Sequence, residues 1–178
     1  MFRLNDKVVY PGHGVAKINQ IVEKIIGGNQ TLFYELTFLN KEMTILIPTQ
    51  NTESIGIRPL SSQDEINDIV KMLAEPAKKI NSYELTATNW NKKNKEYQLK
   101  LRTGDLQKIS EIYRDLKHIA QQKELSFGEK NLLNQTEALI AEEISIVKKL
   151  EPEKAVEHLR SVFGYIDKVS PSNRQKSL

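Results

Sequence analysis

The stretch Ser62-Gln63-Asp64-Glu65 marks the point at which the hydrophobic pattern of this sequence changes from that of strands to that of helices. It is a capping box, in which the serine oxygen and the glutamate carboxylate satisfy free backbone amides at the start of a helix. Beyond it, as far as Pro76, apolar residues recur at helical spacing: Ile66, Ile69, Val70 and Leu73. The stretch therefore predicts a boundary near 59–62 between a β module and a helical part.

The chain before this boundary has the features of short strands separated by turns. Pro11-Gly12-His13-Gly14 interrupts the first apolar run, because proline restricts φ and glycine permits positive φ. Gly27-Gly28-Asn29 is typical of a hairpin turn. Strands at such short spacing favour a small, strongly bent sheet or barrel over residues 1–60. The predicted strands are 7–10, 15–25, 32–39, 43–47 and, as a fifth, 54–58.

The chain after the boundary predicts an all-α domain over 61–167. A loop or short helical turn is expected at 76–88, and a basic helix at about 89–102. Asp105 is placed to cap the next helix, Ser126-Phe127-Gly128-Glu129 is a second capping box, and Pro152 suits the first turn of a last helix. Residues 168–178 are polar and are expected to form a disordered tail. The predicted class is α+β, a small β module followed by helices.

Composition and motif content limit the classes of function that this sequence predicts. The 178 residues are 39% hydrophobic and 28% charged, with no cysteine, which fits a protein of the reducing cytoplasm. No apolar run is long enough for a bilayer, so no membrane association is expected. The chain has no phosphate-binding glycine loop, no nucleophile elbow, and three histidines too far apart for a metal site. We therefore expect no enzyme activity, no cofactor, no metal and no small-molecule substrate.

The predicted helix at 89–102 carries an uneven charge. Net charge is only +3, but residues 91–102 hold five Lys/Arg and one acid. The single tryptophan, Trp90, comes directly before this run, which includes Lys92, Lys93 and Lys95. Lysines can contact phosphates, and an aromatic ring can stack on a base or enter an opened base step. The segment is therefore a candidate nucleic-acid face.

The same helix also allows a structural interpretation. Trp90, Tyr97 and Leu101 share one narrow stripe, with spacings of seven and four residues. Tyr97 and Leu101 would anchor the helix to the rest of the domain. Trp90 would then either pack below them as part of the core or stand at the exposed N-terminal edge, and the sequence leaves both possibilities open.

Several motifs resemble those of the CarD/CdnL family of bacterial transcription regulators. The clearest is Val8-Val9-Tyr10-Pro11-Gly12-His13-Gly14-Val15, which is similar to the start of the family's β module. The resemblance covers residues 2–150, and the β module alone also resembles the polymerase-interacting domain of the transcription-repair coupling factor. The other matching stretches are 43–48, 56–58, Asn89-Trp90, Thr103-Gly104-Asp105, Arg114-Asp115-Leu116 and 125–130.

The resemblance implies a Tudor-like or SH3-like β module that docks on the β subunit of RNA polymerase, and a helical domain that contacts promoter DNA at the upstream edge of the transcription bubble. The family's wedge tryptophan corresponds to Trp90. Its DNA-contacting basic residues correspond to Lys92, Lys93, Lys95 and Lys130, and its polymerase contacts to Lys24, Ile26, Thr44 and Leu46.

Two positions depart from the family pattern. Lys92-Lys93 replaces a pair that is often arginine, which keeps the charge and loses the planar fork. Leu46 replaces a basic residue of some members.

The resulting hypothesis is a transcription regulator that stabilises the open complex and is located in the cytoplasm, at the nucleoid through polymerase. One alternative is a protein-interaction adaptor that binds polymerase or another partner through the β module without touching DNA. Another is a single-strand RNA binder that uses aromatic stacking, although Trp90 is its one good platform.

Overall fold

The computed structural model describes residues 1–75 and 87–169, with only the backbone given for 87, 88 and 165–169. A five-stranded antiparallel sheet is followed by helices, which confirms the predicted α+β class. Most of the loop predicted at 76–88 lies outside the described residues, as does the tail from residue 170. Within the described ranges, no helix combines the length and the apolar character needed to cross a membrane.

The sheet has the strand order β4-β3-β2-β1-β5, with β4 and β5 at its edges. Gly27 and Gly28 connect β2 to β3 with φ values of +57° and +82°, the two positive angles of a tight type I′ hairpin turn. A bulge between Ile18 and Gln20 shifts the register of β2 against β3. The strands are β1 (Lys7–Tyr10), β2 (Gly14–Ile26), β3 (Asn29–Phe38), β4 (Thr44–Pro48) and β5 (Arg58–Pro59).

The fifth strand is much shorter than the sequence predicts. A 3-10 turn at Thr49–Asn51 leads into a short helix, α1 (Thr52–Ile55), where a strand was expected to begin. Gly56 ends this helix in the left-handed conformation, and its N–H donates to carbonyls of the last turn. Only Arg58–Pro59 then pairs with β1. Of the two isoleucines that suggested a strand, Ile55 packs the helical turn against the core of the β module, and Ile57, after the turn, is buried in that core.

The β-module core lies on one face of the sheet. Ile18, Tyr34 and Leu36 are almost fully buried there, with Ile47 contributed by the edge strand β4. The β2–β3 hairpin continues beyond the short strand β1, and its outer part is exposed on both faces. About 60 residues bury little apolar surface, so a module of this size is only modestly stable by itself.

The helical domain packs around a larger core. Ser62 and Ser126 each accept a hydrogen bond from the backbone N–H three residues later, and both capping boxes are complete, as predicted. Asp105 caps α4, also as predicted. Ile112, Leu116 and other apolar residues of α4 lie at the centre of the domain. The helices are α2 (Gln63–Ala74), α3 (Ala87–Arg102), α4 (Leu106–Gln122), α5 (Phe127–Lys148) and α6 (Pro152–Val169).

A junction of polar groups joins the two parts. Arg58 of β5 donates from both terminal nitrogens to the carboxylate of Glu143 in α5, at 2.8 Å each. Glu143 also accepts from the backbone N–H of Ser61 at 2.7 Å, and Arg58 Nε donates to the carbonyl of Gly104 at 2.8 Å. Glu143 is buried, so this ion pair is largely shielded from water.

A second contact of the junction involves the start of β2. Gly14 lies against the carboxylate of Glu142, which accepts a hydrogen bond from the N–H of Val15. Burial raises the pKa of Glu142, although the hydrogen bond from Val15 opposes that effect. The turn that interrupts the first strand in the sequence is therefore also the point where α5 meets the sheet.

Candidate functional site

Trp90 lies in the first turn of α3 and is half-buried. Its ring packs edge-on against Tyr97, with ring centroids 6.3 Å apart and an interplanar angle of 60°. It also approaches Gly128 of α5, where an added Cβ would lie 3.6 Å from the indole. The two interpretations of the stripe are therefore both partly right: Trp90 packs against the core, but the ring is not sealed inside it.

Tyr97 and Leu101 anchor the C-terminal half of α3, as the stripe predicts. Both side chains are buried, and the Tyr97 hydroxyl donates to Asp115 of α4 at 3.1 Å. Burial, reinforced by the nearby Asp115 carboxylate, raises the pKa of Tyr97, so the hydroxyl stays a donor. Lys100 adds an ion pair with Glu111 at 2.8 Å. These contacts hold the helix that carries Trp90.

The predicted phosphate-binding lysines of α3 do not share one face. Lys92 and Lys95 are exposed and Lys93 is half-buried. At about 100° per residue, Lys93 lies roughly 60° around the helix from Trp90, whereas Lys92 and Lys95 lie on the side away from it. None of the three forms an ion pair with an acid among the described residues. Of these three lysines, Lys93 is thus the one on the Trp90 side of α3.

Lys130 reaches the same neighbourhood from another helix. It lies in the first turn of α5, two residues after the glycine that faces Trp90. Its ammonium group pairs with Glu124 at 3.1 Å, and both side chains are largely exposed. An exposed pair of this kind contributes at most about 1 kcal/mol, so a phosphate could replace the carboxylate. The first turn of α5 thus carries Lys130 as well as the glycine that faces Trp90, with Lys130 about 160° around the helix from that glycine.

The backbone at this end of α5 is firmly held. Glu129 is buried; it accepts from the N–H of Ser126 at 2.7 Å and from Lys123 at 2.9 Å. Burial by itself favours the neutral acid, but these hydrogen bonds outweigh it and hold the pKa of Glu129 below its usual value. Glu129 stays ionised at neutral pH and fixes the first turn of α5 beside Trp90.

The sequence interpretation missed Phe127, the first residue of α5. Its side chain is 80% exposed and comes directly before the glycine that contacts Trp90. Ser126-Phe127-Gly128-Glu129 was interpreted only as a helix start, and the phenylalanine within it was not considered. Helical periodicity could have indicated that Phe127 is exposed, because it lies about 180° around the helix from Thr136, a residue of the buried face.

The four predicted polymerase contacts lie on one face of the sheet. The register places Lys24 opposite Thr31 and Leu46 opposite Glu35, and Thr31 and Glu35 point to the same side of β3. Ile26 lies two residues after Lys24 in β2, and Thr44 lies two residues before Leu46 in β4, so both point to that side as well. All four side chains are exposed, on the side opposite the β-module core. Leu46 and Thr44 belong to β4, an edge strand whose outer backbone is free to pair with another strand.

Comparisons with known proteins match both parts of the chain. Residues 68–160 match the family described as CarD, C-terminal domain, and residues 2–61 match the CarD-like/TRCF RID domain. The Bacillus subtilis (strain 168) protein named "Putative transcription factor YdeB" is 27% identical over 148 residues, which span 83% of this chain and 93% of that protein.

A solved structure also matches part of the chain. It is the NMR structure of the 72-residue N-terminal domain of Myxococcus xanthus CarD, at 25% identity and a TM-score of 0.30, covering 33% of this chain and 79% of that one.

The family matches extend over both the sheet and the helices, in the order that the sequence motifs predict. The family consists of transcription factors and is not a known enzyme family, and the RID domain indicates an interaction with RNA polymerase in general. With its β module and its helical domain both matched, this chain belongs to the CarD/CdnL family of transcription-associated proteins.

Proposed function

We propose that this protein binds the β subunit of RNA polymerase through its β module and promoter DNA through the Trp90 end of its helical domain. The DNA contact would lie at the upstream edge of the transcription bubble, where it stabilises the open complex. The observation that carries this proposal is the half-buried indole of Trp90, which packs against Tyr97 in a helix whose lysines Lys92, Lys93 and Lys95 have no ion pair with a described acid.

The Trp90 end suits DNA that is already distorted. A ring that is fixed on one side loses little conformational freedom when its free edge enters an opened base step. Unstacking an intact base step costs a few kcal/mol, and in partly melted DNA the step is already unstacked. Lys93 and Lys130 would contact phosphates near the ring, while Lys92 and Lys95 would reach the backbone from the other side of α3. Such contacts respond to DNA shape and opening more than to sequence.

The β module would supply the attachment to polymerase. Lys24, Ile26, Thr44 and Leu46 form a mixed polar and apolar surface on one side of the sheet. The free edge of β4 offers backbone groups for strand addition by a partner. Attachment raises the local concentration of the helical domain near the promoter, so a weak DNA contact becomes effective.

Stabilisation requires a difference in affinity between promoter states. A protein that bound closed and open promoters equally would shift nothing. A preference for the open form of about 1.4 kcal/mol changes the ratio of open to closed complexes about tenfold. One ring that enters only the opened step, together with two or three phosphate contacts, is of the right size for that effect.

The decisive experiment is the lifetime of open complexes formed by purified polymerase with the full-length Trp90→Ala variant. We expect Trp90→Ala to shorten the lifetime about tenfold relative to the native protein. Because the ring also packs against Tyr97 and the core, some thermal stability should be lost as well, and lifetimes are compared at a temperature at which both proteins are folded. Leu99→Ala is the matched control, since Leu99 is 63% exposed and lies about 180° around α3 from Trp90. If Trp90→Ala keeps the native lifetime and instead loses several kcal/mol of stability, the ring is a core residue and the proposal fails.

The polymerase face can be tested with two neighbouring residues of β2. Ile26 is 55% exposed on the proposed face, and Ile25 is 73% exposed on the opposite one. Ile26→Asp should reduce binding to the isolated polymerase β subunit, measured without DNA, and Ile25→Asp should not. Equal losses, or none, would contradict the assigned face. Normal polymerase binding without a crosslink from Trp90 to promoter DNA would instead favour the adaptor alternative.

A further inference from the structure

Phe127 is an aromatic side chain in an unusual position. At 80% exposure it is the only aromatic residue, among those whose side chains the structure describes, that is mainly open to solvent. Single exposed apolar residues are ordinary on protein surfaces and need no explanation. Phe127 is of interest because of its place in the chain: the next residue, Gly128, lies against the half-buried indole of Trp90, and Lys130 follows in the same helical turn.

Helix geometry places Phe127 between those two groups. The side of α5 that carries Gly128 faces Trp90, since a Cβ built on Gly128 would lie 3.6 Å from the indole. Phe127 lies about 100° around α5 from Gly128, and Lys130 lies roughly 60° further in the same direction, about 160° from Gly128. Side chains in a helix also lean toward its N-terminus, so a ring in the first turn projects past the end of α5. The phenyl ring is therefore presented to solvent at the start of α5, on a different side of the helix from the contact between Gly128 and the indole.

The helix start that carries Phe127 is rigid. The capping box of Ser126 and Glu129 is complete, and the buried Glu129 carboxylate is also held by Lys123. Little backbone freedom remains to be lost when the ring makes a contact, which favours binding. The ring is thus displayed by a fixed backbone and not by a loop.

We propose that Phe127 is a second aromatic contact for DNA and that it stacks on an unpaired base next to the step that Trp90 enters. This inference rests on the proposed function and adds to it a preference for single-stranded bases. A polyanion suits this surface better than an apolar protein groove, because Lys93 has no ion pair with a described acid and the exposed pair of Lys130 with Glu124 can be exchanged for a phosphate. Every base has a flat face, so the contact would be tolerant of sequence.

The test uses full-length Phe127→Ala, Phe127→Trp and Phe127→Leu, each with purified polymerase and promoter DNA. We expect Phe127→Ala to shorten the open-complex lifetime about three- to tenfold, Phe127→Trp to keep it, and Phe127→Leu to behave like alanine, because stacking needs a flat ring. Thermal unfolding should stay unchanged in all three, since the side chain is exposed. The lifetime on a promoter with a pre-formed mismatched bubble should show the same order.

The outcomes separate this inference from the function on which it rests. If Trp90→Ala shortens the lifetime and Phe127→Ala does not, DNA contact by the domain stands and the role of Phe127 is wrong. A leucine variant as active as the native protein would overturn stacking as the contact. If neither alanine variant changes the lifetime, the proposed function itself fails and Phe127 loses its role with it.

Discussion

The junction between the two domains and the surface around Trp90 are built in opposite ways. At the junction, the buried Glu143 carboxylate accepts three hydrogen bonds, two of them from Arg58. Around Trp90, Lys92, Lys93 and Lys95 have no ion pair with any acid in the described part of the chain, and Trp90 itself is only partly buried. Charges with satisfied partners give the junction a defined geometry, whereas charges without partners remain available to a ligand.

This difference indicates separate roles: the junction positions the domains, and the outer surfaces are available for binding. The helices that carry Trp90 and Phe127 are positioned relative to the sheet by contacts that water and salt reach poorly. The outer surfaces, by contrast, depend on exposed groups that ions screen easily. If the proposed function is correct, a fixed junction holds the polymerase face and the DNA face at one separation, which tethered binding at two sites requires.

The largest effect is expected at the junction. Glu143→Ala removes the acceptor from Arg58 and from the Ser61 N–H, and leaves a partly shielded cation without a partner. We expect the free energy of unfolding to fall by about 3 kcal/mol, as for other shielded pairs that lose one member. Chemical denaturation followed by circular dichroism measures that loss.

A second measurement separates the junction from general stability. The chain has no cysteine, so Gln30→Cys and Lys108→Cys on exposed sites of the two domains allow specific spin labelling. Glu143→Ala should broaden the distribution of distances between the labels. Glu137→Ala, which breaks a pair with Arg160 inside the helical domain, should leave it narrow. A narrow distribution in both variants would mean that Glu143 does not control the domain geometry.

A smaller effect is expected where β2 meets α5. Gly14 has a φ of +103°, and an added Cβ would collide with the Glu142 carboxylate. Gly12 has a φ of +73° with open space around it, so Gly12→Ala tests backbone strain alone. We expect losses of about 1 kcal/mol for Gly12→Ala and about 2 kcal/mol for Gly14→Ala in urea unfolding. Equal losses would show that the contact between Gly14 and Glu142 adds no constraint.

Much of the fold was predictable because its signals are local. Each capping box, the glycine pair of the hairpin and the cap at Asp105 act over two to four residues, and each was confirmed. The junction had no such signal: Arg58 and Glu143 are 85 positions apart and meet only in the folded chain. The fifth strand was wrong for a related reason, since isoleucines at alternate positions suit either a strand or a helical turn that ends at a glycine.

The candidate site was only partly predictable. The stripe of Trp90, Tyr97 and Leu101 correctly indicated one buried face of α3. The exposure of the ring depends on how close the start of α5 comes, which periodicity does not encode. Phe127 was missed because the same four residues already had an explanation as a helix start. The surface roles of the lysines and of the sheet face remain predictions.

The smallest effect on stability, and the clearest on binding, is expected from Lys93. Lys93→Ala should change the unfolding free energy by less than about 0.5 kcal/mol. In complexes with polymerase and promoter DNA, it should reduce the slope of log affinity against log salt by about one, since one phosphate contact is lost. Lys100→Ala is the control: it breaks the pair with Glu111, should cost about 0.5 kcal/mol, and should leave the slope unchanged. Identical slopes for both variants and the native protein would place the DNA contact away from this side of α3, because the lysine on the Trp90 side of the helix would then have released no counterion.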